Sequence, residues 1–365
     1  PSDDCVGLFG HISGSGIKDV GLTNVSIKGR YRVGGLIGYG SQVTITDCYV
    51  EDDGASPPNI PKIIGKDSVG VLAGGIDGGV FTQCHTVGEV NTTNSGWGYF
   101  GGLVGVLGDN SGSVAITNCY SEADVTGGSY SAGGLVGYVS GDNISITNCH
   151  STGDINIKRI AGGLIGCIYG NTKITGSYST GSVTSTESGD YFGGLVGYIE
   201  MAEINKSYST GAVTGGDYLG GLVGYLGRSG TEKKGYIHNS YATGAVTGGS
   251  SIGGLVGERS DITSPLKGLI SNSYSTGSVS ASSDPGGFIG KNNSHQISNS
   301  YWNTTTSDQS DGCGDDPLCA GATGELTADM KLQTTYTGWD FTDIWKIETS
   351  PNSYPCLKWQ TGSCP

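Results

Sequence analysis

The sequence predicts an all-β protein, a parallel β-solenoid (β-helix) of about ten coils followed by a C-terminal cap segment. Three observations predict it. Glycine supplies 68 of the 365 residues, about one in five against an average near 7%, with no Gly-X-Y period that would signal collagen. A short block, Gly-Gly-Leu-Val-Gly, returns along most of the chain. A second block follows it, reading Ile146-Thr-Asn-Cys-His-Ser-Thr-Gly-Asp-Ile155 in one copy and Ile270-Ser-Asn-Ser-Tyr-Ser-Thr-Gly-Ser-Val279 in another. Ser, Thr and Asn are plentiful and only 14% of residues are charged. Such a composition suits many turns between short strands and suits long helices poorly.

The first block starts at Gly34, Gly101, Gly133, Gly162, Gly193, Gly220, Gly253 and Gly286, with a degenerate copy at Gly70 and a partial one over Gly7 to Gly10. The spacing varies between 27 and 36 residues, and the variation falls between the blocks, where loops belong. Each repeat therefore offers two or three short strands divided by turns. One such unit cannot bury its own apolar face, but stacked copies can, because each coil hydrogen-bonds to the next along its backbone. Coils about 4.8 Å apart would make a rod on the order of 50 Å long. Equivalent residues then form columns. Leu36, Leu103, Leu135, Leu164, Leu195, Leu222 and Leu255 are expected to form an inner apolar ladder. The glycines permit tight corners and close approach of neighbouring backbones.

These blocks resemble the GLUG repeat, named for Gly-Leu-any-Gly. The resemblance covers roughly Val6 to Trp302, and it implies bacterial or archaeal surface proteins, adhesin-like proteins, or non-catalytic parts of immunoglobulin-A-cleaving metallopeptidases. It is specific for the repeat and nearly silent about activity. Residues 1–302 are accordingly read as the solenoid, and residues 303–365 as a disulfide-containing, aromatic-rich cap.

In the second block the residue after Asn is Cys48, Cys84, Cys119 and Cys149 in four consecutive repeats, and then Ser177, Ser207, Ser240, Ser273 and Ser300. Val25 stands there in the first coil. A position shared by Val, Cys and Ser reads as small and at least partly buried, with Cys acting as a small hydrophobe. Coil spacing leaves two readings open, stacked disulfides (Cys48–Cys84 and Cys119–Cys149) or free thiols. A metal ladder is disfavoured, because parallel thiols in one column do not make a tetrahedron. His85 and His150 take the place that Tyr49, Tyr120, Tyr178, Tyr208, Tyr241, Tyr274 and Tyr301 hold elsewhere. Adjacent strand residues face opposite ways, so Cys84 and His85 should not share an ion.

The tail loses the repeat. Thr327 to Thr334 reads as a short helix. Trp339, Phe341, Trp345, Tyr354 and Trp359 are expected to cover the last coil, and similar endings commonly follow GLUG repeats. An uncovered coil edge invites aggregation. Cys313–Cys319 and Cys356–Cys364 are the economical disulfide pairings, although sequence alone does not fix connectivity. Cys5 and Cys167 remain. Cys5 precedes an incomplete coil and is a candidate for bonding to another chain. Ten cysteines, four of them in the last 53 residues, point to an oxidising, extracellular setting.

The net charge of −14 repels phosphate backbones and excludes nucleic acid as a partner. No apolar run reaches the ~18 residues of a membrane span. A chain that opens at Pro1 reads as a processed form or a fragment. The chain carries no His-Glu-x-x-His, Gly-x-Ser-x-Gly or phosphate loop, and no catalytic residues are assigned. Two acidic groups stand out, Asp52-Asp53 in the insertion from Glu51 to Asp67, and Asp308, Asp311, Asp315 and Asp316, whose oxygens suit Ca²⁺. The latter spacing departs from an EF-hand loop, and otherwise no cofactor is expected. Asn-x-Ser/Thr sequons at Asn24, Asn91, Asn143, Asn205, Asn292 and Asn303 are candidate glycosylation sites. The leading expectation is a non-enzymatic extracellular surface protein, structural or adhesive, whose exposed first coil favours head-to-tail self-assembly into a filament. Other surface proteins or glycans are alternative partners. A carbohydrate-active β-helix (polysaccharide lyase or glycosidase) and a non-catalytic segment of a larger surface protease are the alternative functions.

Overall fold

A computed structural model describes the chain except residues 1–3, 56–57, 93–95, 109–111, 129, 186, 188, 228–234, 261–268, 294–295, 317–318 and 349–351. It is a parallel β-solenoid. One column of the strand ladder runs Phe9, Ile37, Ala73, Val104, Val136, Ile165, Val196, Val223, Val256 and Ile289, each residue paired in parallel with the next. These are ten layers joined by nine turns.

The layer from Gly133 to Gly162 shows how the two sequence blocks build one coil. Val136–Val139 and Ile144–Thr147 lie on one face, and two long strands, Ile37–Thr46 and Ala73–Thr82, run through both tracks of that face in their own layers. The chain turns at Asn148, passes His150–Ser151 on a second, narrow face, and turns again through Thr152 to Asp154. Ile155–Ile157 and Ile160–Gly162 form the third face. The corner back to the first face is the Gly-Gly pair. A Cβ on Gly163 would overlap the Gly194 carbonyl oxygen and the Ser179 hydroxyl, so this corner requires glycine for space and not for an unusual φ.

The turn at Asn148 has the opposite requirement. Asp47, Gln83, Asn118, Asn148, Gly176, Lys206, Asn239, Asn272 and Asn299 occupy the same place, and all have φ between 46° and 62°. This is the left-handed region, which Asn tolerates better than other residues with a Cβ. Asn recurs in the second block because the backbone there must turn the wrong way for an L-residue.

The inner ladder is continuous. Leu36, Leu103, Leu135, Leu164, Leu195, Leu222 and Leu255 are all fully buried. The N–H of Leu135 donates to the Leu164 carbonyl, and that of Leu164 to the Leu195 carbonyl, both at 2.9 Å. Leu72 and Phe288 belong to the same column. Leu8 starts it and is 57% exposed.

Past Ser300–Asn303 the chain adds one more parallel strand, Ala322–Glu325, to the narrow face. Cys313 bridges to Ile289. Cys313–Cys319 and Cys356–Cys364 are both bonded. The stretch read as a helix over Thr327 to Thr334 forms instead two single 3₁₀ turns, Asp329–Lys331 and Gln333–Thr335, separated by Leu332 in an extended conformation. The only α-helical turn among the described residues is Thr304–Ser307, where Asn303 Oδ1 accepts from the N–H groups of Thr305 and Thr306.

The tail's aromatic residues do not lie across the end of the stack as expected. They lie along its side. Trp339, Trp345, Tyr336 and Leu357 pack on Tyr241, Tyr274 and Tyr301 in a second apolar cluster outside the narrow face. The end of the core is closed by Trp302 and the Cys313–Cys319 disulfide, which pack with the main cluster.

Candidate functional site

The narrow face carries one outward column: Tyr49, His85, Tyr120, His150, Tyr178, Tyr208, Tyr241, Tyr274 and Tyr301. From Tyr49 to Tyr274 successive ring centroids lie 4.7 to 5.0 Å apart with planes within 10°. The layer spacing imposes this stack, since identical rotamers repeat at about 4.8 Å. His85 Nε2 reaches Glu51 Oε2 at 3.2 Å. Burial holds the His150 imidazole below its ordinary pKa, so it stays neutral between its tyrosine neighbours at pH 7.

The tail divides this column in two. Tyr241 and Tyr274 are buried beneath it. Tyr274 OH donates to the Pro355 carbonyl at 2.6 Å, and Gln360 bonds Tyr241 OH through its side chain. Burial pushes the Tyr274 phenol well above its usual value. Trp359 marks the boundary. Its ring lies 6.1 Å from Tyr178 and 5.8 Å from Tyr208, and its indole N–H donates to the Lys206 carbonyl at 3.2 Å. Tyr49, His85, Tyr120 and His150 stay outside the cover as half-buried rings. The column is therefore open to solvent over part of the stack only.

Directly inside the turn lies the Cys/Ser column. Cys48, Cys84, Cys119 and Cys149 are buried free thiols, so the stacked-disulfide alternative is not what forms. Nor are they simply small hydrophobes. Ser207 Oγ accepts from the N–H of Ser177 in the preceding layer at 3.2 Å and donates to the Asn205 carbonyl at 2.9 Å. Cys119 Sγ does the same, accepting from the Cys84 N–H at 3.3 Å and donating to the Thr117 carbonyl at 3.4 Å. In the layers from Cys48 to Ser300 the position holds one small side chain able both to accept and to donate, and Ser and Cys both qualify. In the first layer the residue opposite Cys48 is Val20 and not Val25, because Gly21 pairs with Tyr49 and Ser26 with Lys62. Burial pushes the Cys149 thiol up to about 12, which keeps it protonated and unreactive. Cys167 is also buried, and Cys5 is half-buried and unbonded.

The acidic groups are engaged locally. Asp52 Oδ1 accepts from the Gly54 N–H at 2.7 Å. Asp53 Oδ1 accepts from the Ala55 N–H, and its Oδ2 from the Asn24 and Asn59 side chains. These bonds hold the Asp53 carboxyl below its ordinary value and keep both groups in turn geometry. Asp308 is the left-handed C-cap of the short helix, and Asp315 Oδ1 accepts from the Asn292 N–H at 2.8 Å. Among the described residues, no three His, Cys, Asp or Glu side chains gather around a point that could hold a metal ion, so Asp308, Asp311, Asp315 and Asp316 do not form a ligand set. Of the sequons, Asn24 and Asn143 are exposed and Asn91 and Asn205 half-buried. Asn292 is 2% exposed and Asn303 fully buried, with the Asn303 amide bonded to Thr327 and Tyr354. In the folded chain these two are out of reach of a sugar-transfer enzyme.

With this geometry in place, comparison with known proteins assigns the repeat. The model of the family described as the GLUG motif matches residues 128–156, the layer whose corner, turn and narrow face are described above. Residues 128–156 carry the GLUG motif. Halomucin of Haloquadratum walsbyi (strain DSM 16790 / HBSQ001) is 32% identical over 138 residues, which are 35% of this chain and 2% of that protein. The chain spans about 2% of the length of this curated relative. No solved structure matches it. Among the described residues, no helix is long and apolar enough to cross a membrane.

Proposed function

We propose that this GLUG solenoid is a non-enzymatic, extracellular structural or adhesive element that assembles head to tail. One observation carries the reading. The two ends of the narrow face each present a strand paired on one side only among the described residues: Gly21–Thr23 at the first layer and Ala322–Glu325 at the last. Both run in the same direction, because every pairing on this face is parallel. A second copy set on end would continue the ladder with the geometry that already joins the layers. The first layer is also poorly covered. Val6, Ile12, Ile17, Val20, Leu22, Val25 and Ile27 are only partly buried, and Phe9 is 38% exposed where its ladder partner Ile37 is fully buried.

The reading of no chemistry rests on what the candidate carboxylates do. Asp52, Asp53 and Asp315 hold turns and backbone N–H groups, and a glycosidase or lyase needs such groups free and paired across a substrate. A second reading, a non-catalytic segment of a much larger surface protein, is favoured by the 2% coverage of halomucin. The first layer would then stack on an earlier coil of the same chain. Electron microscopy and light scattering of the natural full-length product test the assembly. Filaments are expected, and dispersed monomers alone would defeat it. Turnover of any acidic or neutral polysaccharide by the purified protein would defeat the non-enzymatic reading.

A further inference from the structure

Where the tail ends against the aromatic column it leaves a cavity of about 560 Å³, lined by Asn148, Gly176, Tyr178, Tyr208 and the loop from Trp359 to Ser363. Its size lies within the range of small-ligand sites. Its wall is built in advance. The Cys356–Cys364 disulfide closes the loop. Gln360 Oε1 accepts from the Leu357 N–H at 2.7 Å, and Gln360 Nε2 lies 2.8 Å from Tyr241 OH. Trp359 is pinned through its indole N–H to the Lys206 carbonyl, yet the residue remains 37% exposed. A loop fixed in this way loses little conformational entropy when a ligand arrives.

The lining chemistry selects the ligand. It contains three aromatic rings, two side-chain amides and two aliphatic hydroxyls, with no charged side chain and no Leu, Ile, Val or Met. A lipid or aliphatic peptide would want the missing aliphatic surface. A phosphate or uronate would want a cation, and would enter against a net charge of −14. A pyranose matches, because its C–H face is apolar enough to lie on an indole ring while its rim of hydroxyls exchanges hydrogen bonds with amides and hydroxyls.

We propose that this cavity is a binding subsite for a neutral saccharide, with Trp359 as the stacking platform and Asn148, Tyr178, Thr361 and Ser363 as the polar rim. The proposal rests on the adhesive part of the reading above, and gives it a ligand class and a place. In a filament the subsite would recur once per subunit, so a weak single contact would be multiplied.

Titration of tryptophan fluorescence in dispersed protein with cellotriose, maltotriose and N,N′,N″-triacetylchitotriose tests it, with trigalacturonate as the charged comparison. At least one neutral trisaccharide should give a saturable change with Kd in the range of roughly 10 μM to 1 mM. Trp359→Ala should weaken it about tenfold or more, and Trp97→Ala, which removes the other exposed indole, should leave it unchanged. Thr361→Phe, which fills the cavity and leaves the Trp359 hydrogen bond in place, should weaken it as well and guards against a displaced tail in Trp359→Ala. Saturation by no neutral trisaccharide, wild-type affinity in Thr361→Phe, loss in Trp97→Ala, or tighter binding of trigalacturonate would each overturn the proposal. Because the titration is read on dispersed protein, its failure is separate from failure of filament assembly.

Discussion

The two halves of the solenoid share one backbone and differ in two columns. In the first half the buried position after the turn is Cys, and the rings outside the narrow face stand open. In the second half that position is Ser, and the rings from Tyr208 onward lie beneath the tail. The backbone pairing is the same in both: Tyr120↔His150 in one half and Tyr241↔Tyr274 in the other are parallel partners in one register. Stacking is thus set by the glycine corner, the left-handed turn and the inner ladder. The inside and outside columns are free to change so long as each keeps its local requirement, a donor-acceptor within and a flat ring without. The cover is what turns a repeating surface into a particular one, because only at its edge do Trp359, Tyr178 and Asn148 share a cavity.

The inner ladder sets the largest effect. Leu164 is fully buried between Leu135 and Leu195, so Leu164→Ala leaves a cavity that its neighbours, held at the layer spacing, cannot close. A loss of about 3 kcal/mol is expected, within the usual range of 2–5 for buried Leu→Ala. Leu8 occupies the same column in the first layer but is 57% exposed, and Leu8→Ala should cost less than about 0.5 kcal/mol in dispersed protein. Denaturant unfolding followed by circular dichroism measures both. Equal costs would mean that the first layer is covered, and the open-edge comparison would fail.

The Cys/Ser column comes next. Ser207→Ala removes the acceptor for the buried Ser177 N–H and should cost about 1–3 kcal/mol. Cys119→Ser keeps both hydrogen bonds and should change stability by less than about 1 kcal/mol, since Ser fills that place in five later layers. If Cys119→Ser proves as costly as Ser207→Ala, the thiols in the first half do something more than the serines in the second.

Much of this was legible in the residues, for a physical reason. A solenoid repeats its geometry every coil, so each requirement is written many times and chance cannot mimic it: the Gly-Gly corner, the inner leucines and the Tyr column could all be read. Leu72 was missed because its copy lacks the Gly-Gly pair, reading Gly70-Val71-Leu72-Ala73-Gly74, although Leu72 sits in the same register. The hydrogen bonds of the Cys/Ser column were hidden because pattern reveals size and burial but not which backbone group comes within 3 Å. The tail was the least legible part. It occurs once, so nothing averages its signal, and its path along the side of the stack depends on long-range contacts such as Trp359 with Lys206, 153 residues apart. The candidate cavity lies where the repeated and the unrepeated parts meet, and so only one wall of it could be foreseen.

The smallest expected effect separates the middle of the stack from its end. A second buried column runs Thr86, Ser121, Ser151, Ser179, Ser209, Ala242 and Ser275, and from Ser121 onward each packs against the second glycine of its corner. Near the ends the hydroxyls are used: Thr86 donates to the Gly102 carbonyl at 3.0 Å and Ser275 to that of Gly287 at 2.7 Å. In the middle, the hydroxyls of Ser151, Ser179 and Ser209 are buried without a partner. An unpaired buried hydroxyl carries its desolvation cost with no return, and Ala242 shows that the column accepts a methyl group. Ser179→Ala should therefore fall within about 0.5 kcal/mol of wild type or be slightly stabilising, whereas Ser275→Ala should cost about 1 kcal/mol for its lost hydrogen bond. Denaturation midpoints of the two variants decide the matter. If Ser179→Ala loses as much as Ser275→Ala, the middle hydroxyls are bonded in solution, and the glycine carbonyls of the adjoining corner are the acceptors within reach.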